Sequence, residues 1–174
     1  MSDLFHDRFS PREYTGDVVP EEELAGILET ARWAQSCFNE QPWRFLIASR
    51  ADGEMRETLE SLLADGNAFA KEPWILGVAF AKKTFTLSGK PNQHAGFDLG
   101  AACQTLALAA FSRGWSTRFM AGFDFEKAKA LCSSDFEPWA MFVIGRAASN
   151  ARTAPLNRSR NEPSTYVFRA KRVE

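Results

Sequence analysis

The chain has 174 residues, a formal net charge of -1 at pH 7 and 45% hydrophobic residues, which is typical of one globular domain with its own core. The near balance of 21 basic and 22 acidic residues excludes the strong positive field that nucleic acids and anionic membranes require. Cys37, Cys103 and Cys132 lie far apart without metal-ligand spacing, so the sequence predicts neither a disulfide framework nor a metal site.

The first predicted element is a helix over residues 20–34. Pro20 suits its first turn, and Glu21 and the two glutamates after it lie near the positive end of the helix dipole. Apolar residues recur at helical spacing from Leu24 to Ala31, which indicates that one stripe of this helix is buried.

Strands and helices then alternate along the chain, as the turn residues and the apolar spacing indicate. In chain order, these patterns predict a strand over residues 43–49, a helix over 53–63, a strand over 74–81, a mobile loop over 84–93, a long helix over 94–113, a strand over 115–120, a short helix over 125–131 and a strand over 139–145. The apolar runs are shorter than the ~18 residues of a membrane span and the first residues lack the pattern of a secretory signal, so we expect a cytoplasmic protein.

The long helix over residues 94–113 is apolar on most faces and rich in glycine and alanine, and Gly114 closes it. A helix that is apolar nearly all round must be buried on nearly all sides, by its own domain or by a partner. We therefore predict a homodimer with residues 99–111 at or near the interface.

The tail over residues 147–174 is polar and basic and lacks periodicity, so it cannot form a packed unit by itself. It is either disordered or an arm that wraps another subunit. Strands mixed with helices around one central helix predict a single α+β layered domain over residues 1–174, with a core over 1–146 and the arm after it.

The first stretch with chemical character is Arg8-Phe9-Ser10-Pro11-Arg12. Two guanidinium groups and a hydroxyl suit a phosphate, because guanidinium binds phosphate through paired, charge-assisted hydrogen bonds. A solvated surface segment is the alternative interpretation, since such short basic stretches are common.

The second stretch runs from Ser36 to Gln41 and includes Asn39. These side chains supply the short donors and acceptors that can read the edge of a heteroaromatic ring, and Pro42 then fixes the turn into the next strand. The alternative is an ordinary loop that caps the helix before it.

Taken together, these segments resemble the nitroreductase family of FMN flavoproteins. The resemblance rests on R-x-S-x-R from Arg8, S-x-x-N-x-Q-P-W-R-F from Ser36, D-L-G-A-A-C-Q-T-L-A-L-A-A from Asp98 and A-G-F-D from Ala121. Their order covers most of the chain, to about Arg160. It implies the nitroreductase-like fold, with a central, mostly antiparallel sheet flanked by helices and a C-terminal arm exchanged in a homodimer.

The resemblance also implies a role for each matching position. The N-terminal motif and a C-terminal basic cluster hold the FMN phosphate and ribityl chain, the loop lines the isoalloxazine, and the amides of the A-G-F turn face its N5 side. The implied cofactor-binding residues are Arg8, Phe9, Ser10, Arg12, Ser36, Asn39, Gln41, Ala121, Gly122, Arg158 and Arg160. It implies no metal, and it identifies no catalytic side chain.

The implied activity is an FMN-dependent oxidoreductase that transfers electrons from NAD(P)H to a small flat acceptor such as a nitroaromatic or a quinone. Flavin chemistry would explain the lack of a visible catalytic triad, since the cofactor carries the redox chemistry. Two alternatives remain open from the sequence: an FMN-binding protein that stores, senses or consumes flavin without ordinary NAD(P)H turnover, and a cofactor-free dimeric interaction module.

Overall fold

A four-stranded antiparallel sheet forms the centre of the protein, in the order β1-β2-β4-β3. The computed structural model describes residues 3–148 and 158–169. The strands are β1 (Trp43–Ser49), β2 (Ile75–Lys82), β3 (Ser116–Met120) and β4 (Phe136–Gly145). The long β4 pairs with both β2 and β3, so β2 and residues 141–145 of β4 are almost fully buried.

Helices cover both faces of this sheet. The α-helices of the described residues are α1 (Leu4–Asp7), α2 (Glu21–Ala31), α3 (Gly53–Glu60), α4 (Ala95–Ser112) and α5 (Phe125–Lys129), and short 3-10 helices span Cys37–Asn39, Asp65–Lys71 and Pro163–Thr165. α2 and α4 pack on one face around Phe142, whereas α3 and α5 pack on the other face around Met141. Neighbouring residues of β4 thus point into separate cores, as strand geometry requires.

These elements confirm the predicted α+β class and the antiparallel sheet flanked by helices. Each predicted helix and strand is present, with ends that differ by a few residues. The predicted mobile loop over residues 84–93 is a hydrogen-bonded turn, in which Thr84 bridges Pro91 and the Phe85 amide donates to the Lys90 carbonyl at 2.9 Å. α1 and the 3-10 helices were not predicted, because segments so short carry too little periodicity to stand out.

Only part of the predicted C-terminal arm is described. Residues 149–157 and 170–174 lie outside the described residues. Within the described part, Arg158 donates hydrogen bonds to the carbonyls of His6 and Arg8, which ties the C-terminal segment to the end of α1. The exchange of the arm between subunits and the division at residue 146 remain predictions.

α4 is buried on one side only within its own chain. Leu99, Ala102 and Leu106 lie in the core, but Phe97 is 74% exposed and Gly100 and Gln104 share its open face. The prediction of burial on nearly all sides is therefore met only in part by this chain. The predicted place of α4 at a dimer interface remains a prediction.

Candidate cofactor site

The dominant feature of the candidate site is a group of positive side chains that we call the arginine cluster. Its members come from the N-terminus, from β3 and from the C-terminal segment: Arg8, Arg12, Arg118, Arg158 and Arg160. Arg8 Nη1 donates to the Ser10 hydroxyl at 3.4 Å, and Arg118 Nη1 donates to the Ser10 carbonyl at 2.7 Å. Arg12 and Arg118 both lie over the Phe69 ring, at 5.7 and 5.5 Å from its centroid. Ser10 therefore lies at the centre of the cluster.

The charges of the arginine cluster are not neutralised by the part of the chain that the structure describes. Within residues 3–148 and 158–169, no member forms an ion pair with a carboxylate. The pKa of Arg8 lies below its ordinary value because the group is partly buried and because Arg158 and Arg160 repel its charge. The pKa of Arg118 is lowered in the same way, by burial and then by Arg12. Such a cluster favours binding of a polyvalent anion.

The turn after β3 brings a second set of predicted residues close to the cluster. Asn67 Nδ2 donates to the Gly122 carbonyl at 2.8 Å, and Ala121 and Gly122 are both exposed. A Cβ atom at Gly122 would lie 3.0 Å from Asn67 Nδ2, so a side chain here would displace the Asn67 amide by a few tenths of an ångström. Asn67 and Phe69 belong to the same 3-10 helix, Asp65–Lys71, and this helix links the turn to the arginine cluster.

The loop from Ser36 to Gln41 has an unusual backbone. Phe38, Asn39 and Gln41 have φ angles of 52°, 55° and 50°, which is the left-handed region that non-glycine residues rarely adopt. The Ser36 hydroxyl accepts the Gln41 amide at 3.0 Å, whereas the exposed Asn39 side chain forms no hydrogen bond to any described residue. An unengaged amide on a loop with this backbone is a candidate ligand contact.

Two carboxylates anchor this loop, one on α4 and one in the loop itself. Asp98, buried at the start of α4, accepts the Cys37 amide at 3.0 Å. Glu40 accepts the Thr86 amide at 2.8 Å and the Thr86 hydroxyl, and lies 3.9 Å from Lys82 Nζ. The pKa of Glu40 is lowered, chiefly because the Thr86 hydroxyl donates to it. The strained loop is therefore anchored to α4 and to the turn after β2.

The structure brings together some predicted residues and separates others. The arginine cluster contains five of the predicted residues: Arg8, Ser10, Arg12, Arg158 and Arg160. The exposed turn at Ala121 and Gly122 is linked to the cluster through the 3-10 helix Asp65–Lys71. The Phe9 side chain is 7% exposed and packs in the interior, which leaves only its main chain for a ligand.

The loop with Ser36, Asn39 and Gln41 belongs to a separate group. Across the described ranges, no hydrogen bond, ion pair or ring contact joins it to the arginine cluster.

Some residues of the candidate site were not predicted from the sequence. Arg118 joins the cluster from a strand, and no local motif marks it. Asp98 and Glu40 act through contacts with residues 61 and 46 positions away in the chain. The basic side chain in the middle of the Ser116–Met120 strand was the available signal for Arg118.

The protein therefore has an α+β fold in which residues 8–12 and residues 158–160 contribute arginines to one basic cluster. The family model described as the Nitroreductase family matches residues 6–146, and the chain therefore belongs to that family. Protein DrgA of Synechocystis sp. is 30% identical over 192 aligned positions, which cover 92% of this chain and 89% of DrgA. A Streptomyces coelicolor protein, provisionally named as an NADH dehydrogenase/NAD(P)H nitroreductase, is 25% identical over 85% of both chains.

A solved structure described as an oxidoreductase containing FMN superimposes with a TM-score of 0.88 and 31% identity, covering 98% of this chain and 92% of that one. The resemblance and the nitroreductase-like fold predicted from the sequence are thereby confirmed. None of the described helices combines the length and apolar character needed to cross a membrane.

Proposed function

We propose that this protein is an FMN-dependent oxidoreductase that transfers electrons from NAD(P)H to a small flat acceptor such as a nitroaromatic or a quinone. The arginine cluster is the observation that carries the proposal: five guanidinium groups converge in a chain whose net charge is -1. Membership of the nitroreductase family, and similarity to an oxidoreductase containing FMN, support flavin as the ligand. The name of the Streptomyces relative supports NAD(P)H as the donor.

The described residues fit the phosphate end of FMN. Arg8 and Arg160 repel one another, no carboxylate of residues 3–148 or 158–169 neutralises them, and a phosphate of about two negative charges would remove that repulsion. The Ser10 hydroxyl, which accepts from Arg8, retains its own proton for a phosphate oxygen. These three residues would hold the phosphate, with Arg12 and Arg118 beside them.

The exposed backbone of Ala121 and Gly122 fits the ring end, because Gly122 keeps the turn free of a side chain. When bound, FMN supplies the two-electron redox chemistry. For a nitro acceptor, the overall reaction consumes one NAD(P)H and one proton and yields the nitroso compound, NAD(P)+ and one water. The chain's task in this reaction is to bind, orient and exclude water.

We propose further that the site is completed by a second copy of the chain. The loop with Ser36 and Asn39 and the arginine cluster belong to separate groups of contacts within one chain, although both match the family's flavin motifs. The open face of α4 around Phe97 offers apolar surface for such a copy. A homodimer would bring the loop of one subunit to the arginine cluster of the other.

Steady-state kinetics test this function. FMN-loaded protein should oxidise NADH or NADPH in the presence of a quinone or a nitroaromatic, with one equivalent of acceptor reduced per nucleotide. Protein loaded with riboflavin, which lacks the phosphate, is the matched control and should lose its flavin on dilution. Absence of acceptor-dependent nucleotide oxidation in flavin-replete protein would contradict the proposed activity.

A further inference from the structure

Two neighbouring cavities share a wall beside the turn after β3. The first, of about 330 Å³, touches Ala121, and its other lining residues are Phe123, Phe125, Glu137, Pro138 and Trp139. The second, of about 250 Å³, also contains Glu137 and Trp139 in its wall. We call the first one the aromatic cavity. Because it touches Ala121, it borders the turn that matches the family's flavin ring contact.

A β-bulge in β4, and not packing in the core, sets the position of the Trp139 side chain in this wall. In the β2–β4 ladder, Ala79 pairs with Ala140 and Phe80 pairs with Pro138, which leaves Trp139 as an extra, bulged residue. A bulge redirects a side chain, and bulges are over-represented near active sites. Trp139 is 51% exposed, so no core packing accounts for its position.

Gly96 in α4 provides the second constraint on this indole. A Cβ atom at Gly96 would lie 2.4 Å from the Trp139 ring, closer than any real contact, so only glycine accommodates the ring where it lies. The indole therefore rests on the backbone of α4. Both the bulge and the glycine keep a large aromatic surface turned towards the two cavities.

Glu137 gives the aromatic cavity its charge. It is the one charged residue in that wall, and its carboxylate forms no hydrogen bond or ion pair with residues 3–148 or 158–169. Of the nearby cations, Lys129 lies over the Phe125 ring at 5.9 Å, and Lys83 lines the second cavity only. Three aromatic rings with one unpaired carboxylate favour a cation, since ring faces and the carboxylate both attract positive charge.

The geometry points to the aromatic cavity as the acceptor subsite of the enzyme, selective for flat acceptors that carry positive charge. This inference rests on the proposed function, because it needs the flavin ring at the neighbouring turn. Trp139 stacks against the acceptor ring, and Glu137 pairs with its positive group. Anionic flat acceptors are disfavoured by the same carboxylate.

A charge series of nitrobenzenes tests the inference. The probes are 4-nitrobenzyltrimethylammonium, neutral 4-nitrobenzamide and anionic 4-nitrobenzoate, with FMN-loaded protein and saturating NADH or NADPH. Glu137→Gln should lower kcat/KM for the cation by about fivefold and leave the neutral probe within about twofold. Trp139→Leu should lower kcat/KM for all three probes. Glu126→Gln, an exposed glutamate on α5 outside the cavity wall, is the matched control and should change none of them.

The outcomes separate this inference from the proposed function. If no probe is reduced by flavin-replete wild-type protein, the proposed function fails. If the probes are reduced but Glu137→Gln changes cation and anion equally, the inference fails while the function stands. It is also overturned if Glu137→Gln weakens FMN binding or raises KM only for the nucleotide, because the cavity would then hold the cofactor or the donor.

Discussion

Arg160 gives the sharpest prediction about the cofactor site. Its guanidinium is exposed, and its hydrogen bond within the described chain goes from Nη1 to the adjacent Ser159 carbonyl at 2.7 Å. Arg160→Ala therefore removes no core contact. It should remove one charge-assisted hydrogen bond to the FMN phosphate, worth about 1.5–3 kcal/mol, which corresponds to roughly ten- to a hundredfold weaker binding.

The same variant should not destabilise the apo-protein. Arg160 contributes to the repulsion that lowers the pKa of Arg8, so its removal relieves repulsion between like charges. We therefore expect an unchanged or slightly higher Tm without FMN, together with a higher Kd for FMN. Arg158→Ala, in contrast, should lower the Tm of the apo-protein, because Arg158 donates hydrogen bonds to the His6 and Arg8 carbonyls.

The assay is titration of apo-protein with FMN, followed by quenching of flavin fluorescence at low and high salt. The loss in affinity should shrink at high salt, since salt screens the partly exposed cluster. Riboflavin, which has no phosphate, should bind wild type and Arg160→Ala equally, and the exposed Arg169→Ala is the matched arginine control. Equal FMN affinity for wild type and Arg160→Ala would refute the reasoning and place the phosphate elsewhere.

Three further predictions concern the loop and the subunit interface. Asn39→Gly keeps the left-handed backbone at φ 55° but removes the side-chain amide. It should weaken flavin binding or shift the flavin reduction potential, with little change in Tm. A lower Tm with unchanged flavin affinity and potential would mean that Asn39 has a structural role. Phe97→Glu, on the open face of α4, should shift the light-scattering mass from a dimer towards 19.5 kDa, and a wild-type protein already monomeric at micromolar concentration would contradict the dimer.

The third of these concerns pH. Because the folded pKa of Glu40 is lowered from its ordinary 4.5, its carboxylate stabilises the fold at neutral pH, and this contribution is lost as the pH falls below about 4.5 through the folded pKa. The Tm difference between wild type and Glu40→Gln should therefore shrink on acidification; a pH-independent difference would count against the Glu40–Thr86 contact.

The sequence was sufficient for the strands and for all the helices except α1 and the short 3-10 helices, and its motifs named candidate residues for a cofactor site. Helical spacing located α2 and α4. The basic stretches around Arg8 and Arg160 predicted a phosphate site, and the structure brings these two stretches together. The register of β2 on β4 was not accessible, because pairing depends on which strands meet in space. The bulge at Trp139 follows from that register, so the aromatic cavity could not be predicted.

Contacts between distant residues were also beyond the sequence. Arg118 reaches Ser10 across 108 positions, and no local pattern connects a strand arginine with an N-terminal serine. In the sequence, Asp98 stands out only as part of a helix motif, yet its carboxylate anchors the loop at Cys37. Phe9 belongs to the phosphate motif by its position in the sequence, whereas its side chain packs inside the protein. Motifs thus predict which segments are candidates for a ligand site, whereas packing decides which of their side chains are exposed.

The central claim is tested most directly by anaerobic mixing of the FMN-reconstituted protein with NADH and with NADPH, while the flavin absorbance is followed. The account predicts that the apo-protein takes up one releasable FMN per chain and that at least one nucleotide bleaches the bound flavin within seconds. A protein that binds no FMN, or that keeps its flavin oxidised with both nucleotides, would contradict it. In the latter case the chain would bind flavin without ordinary turnover.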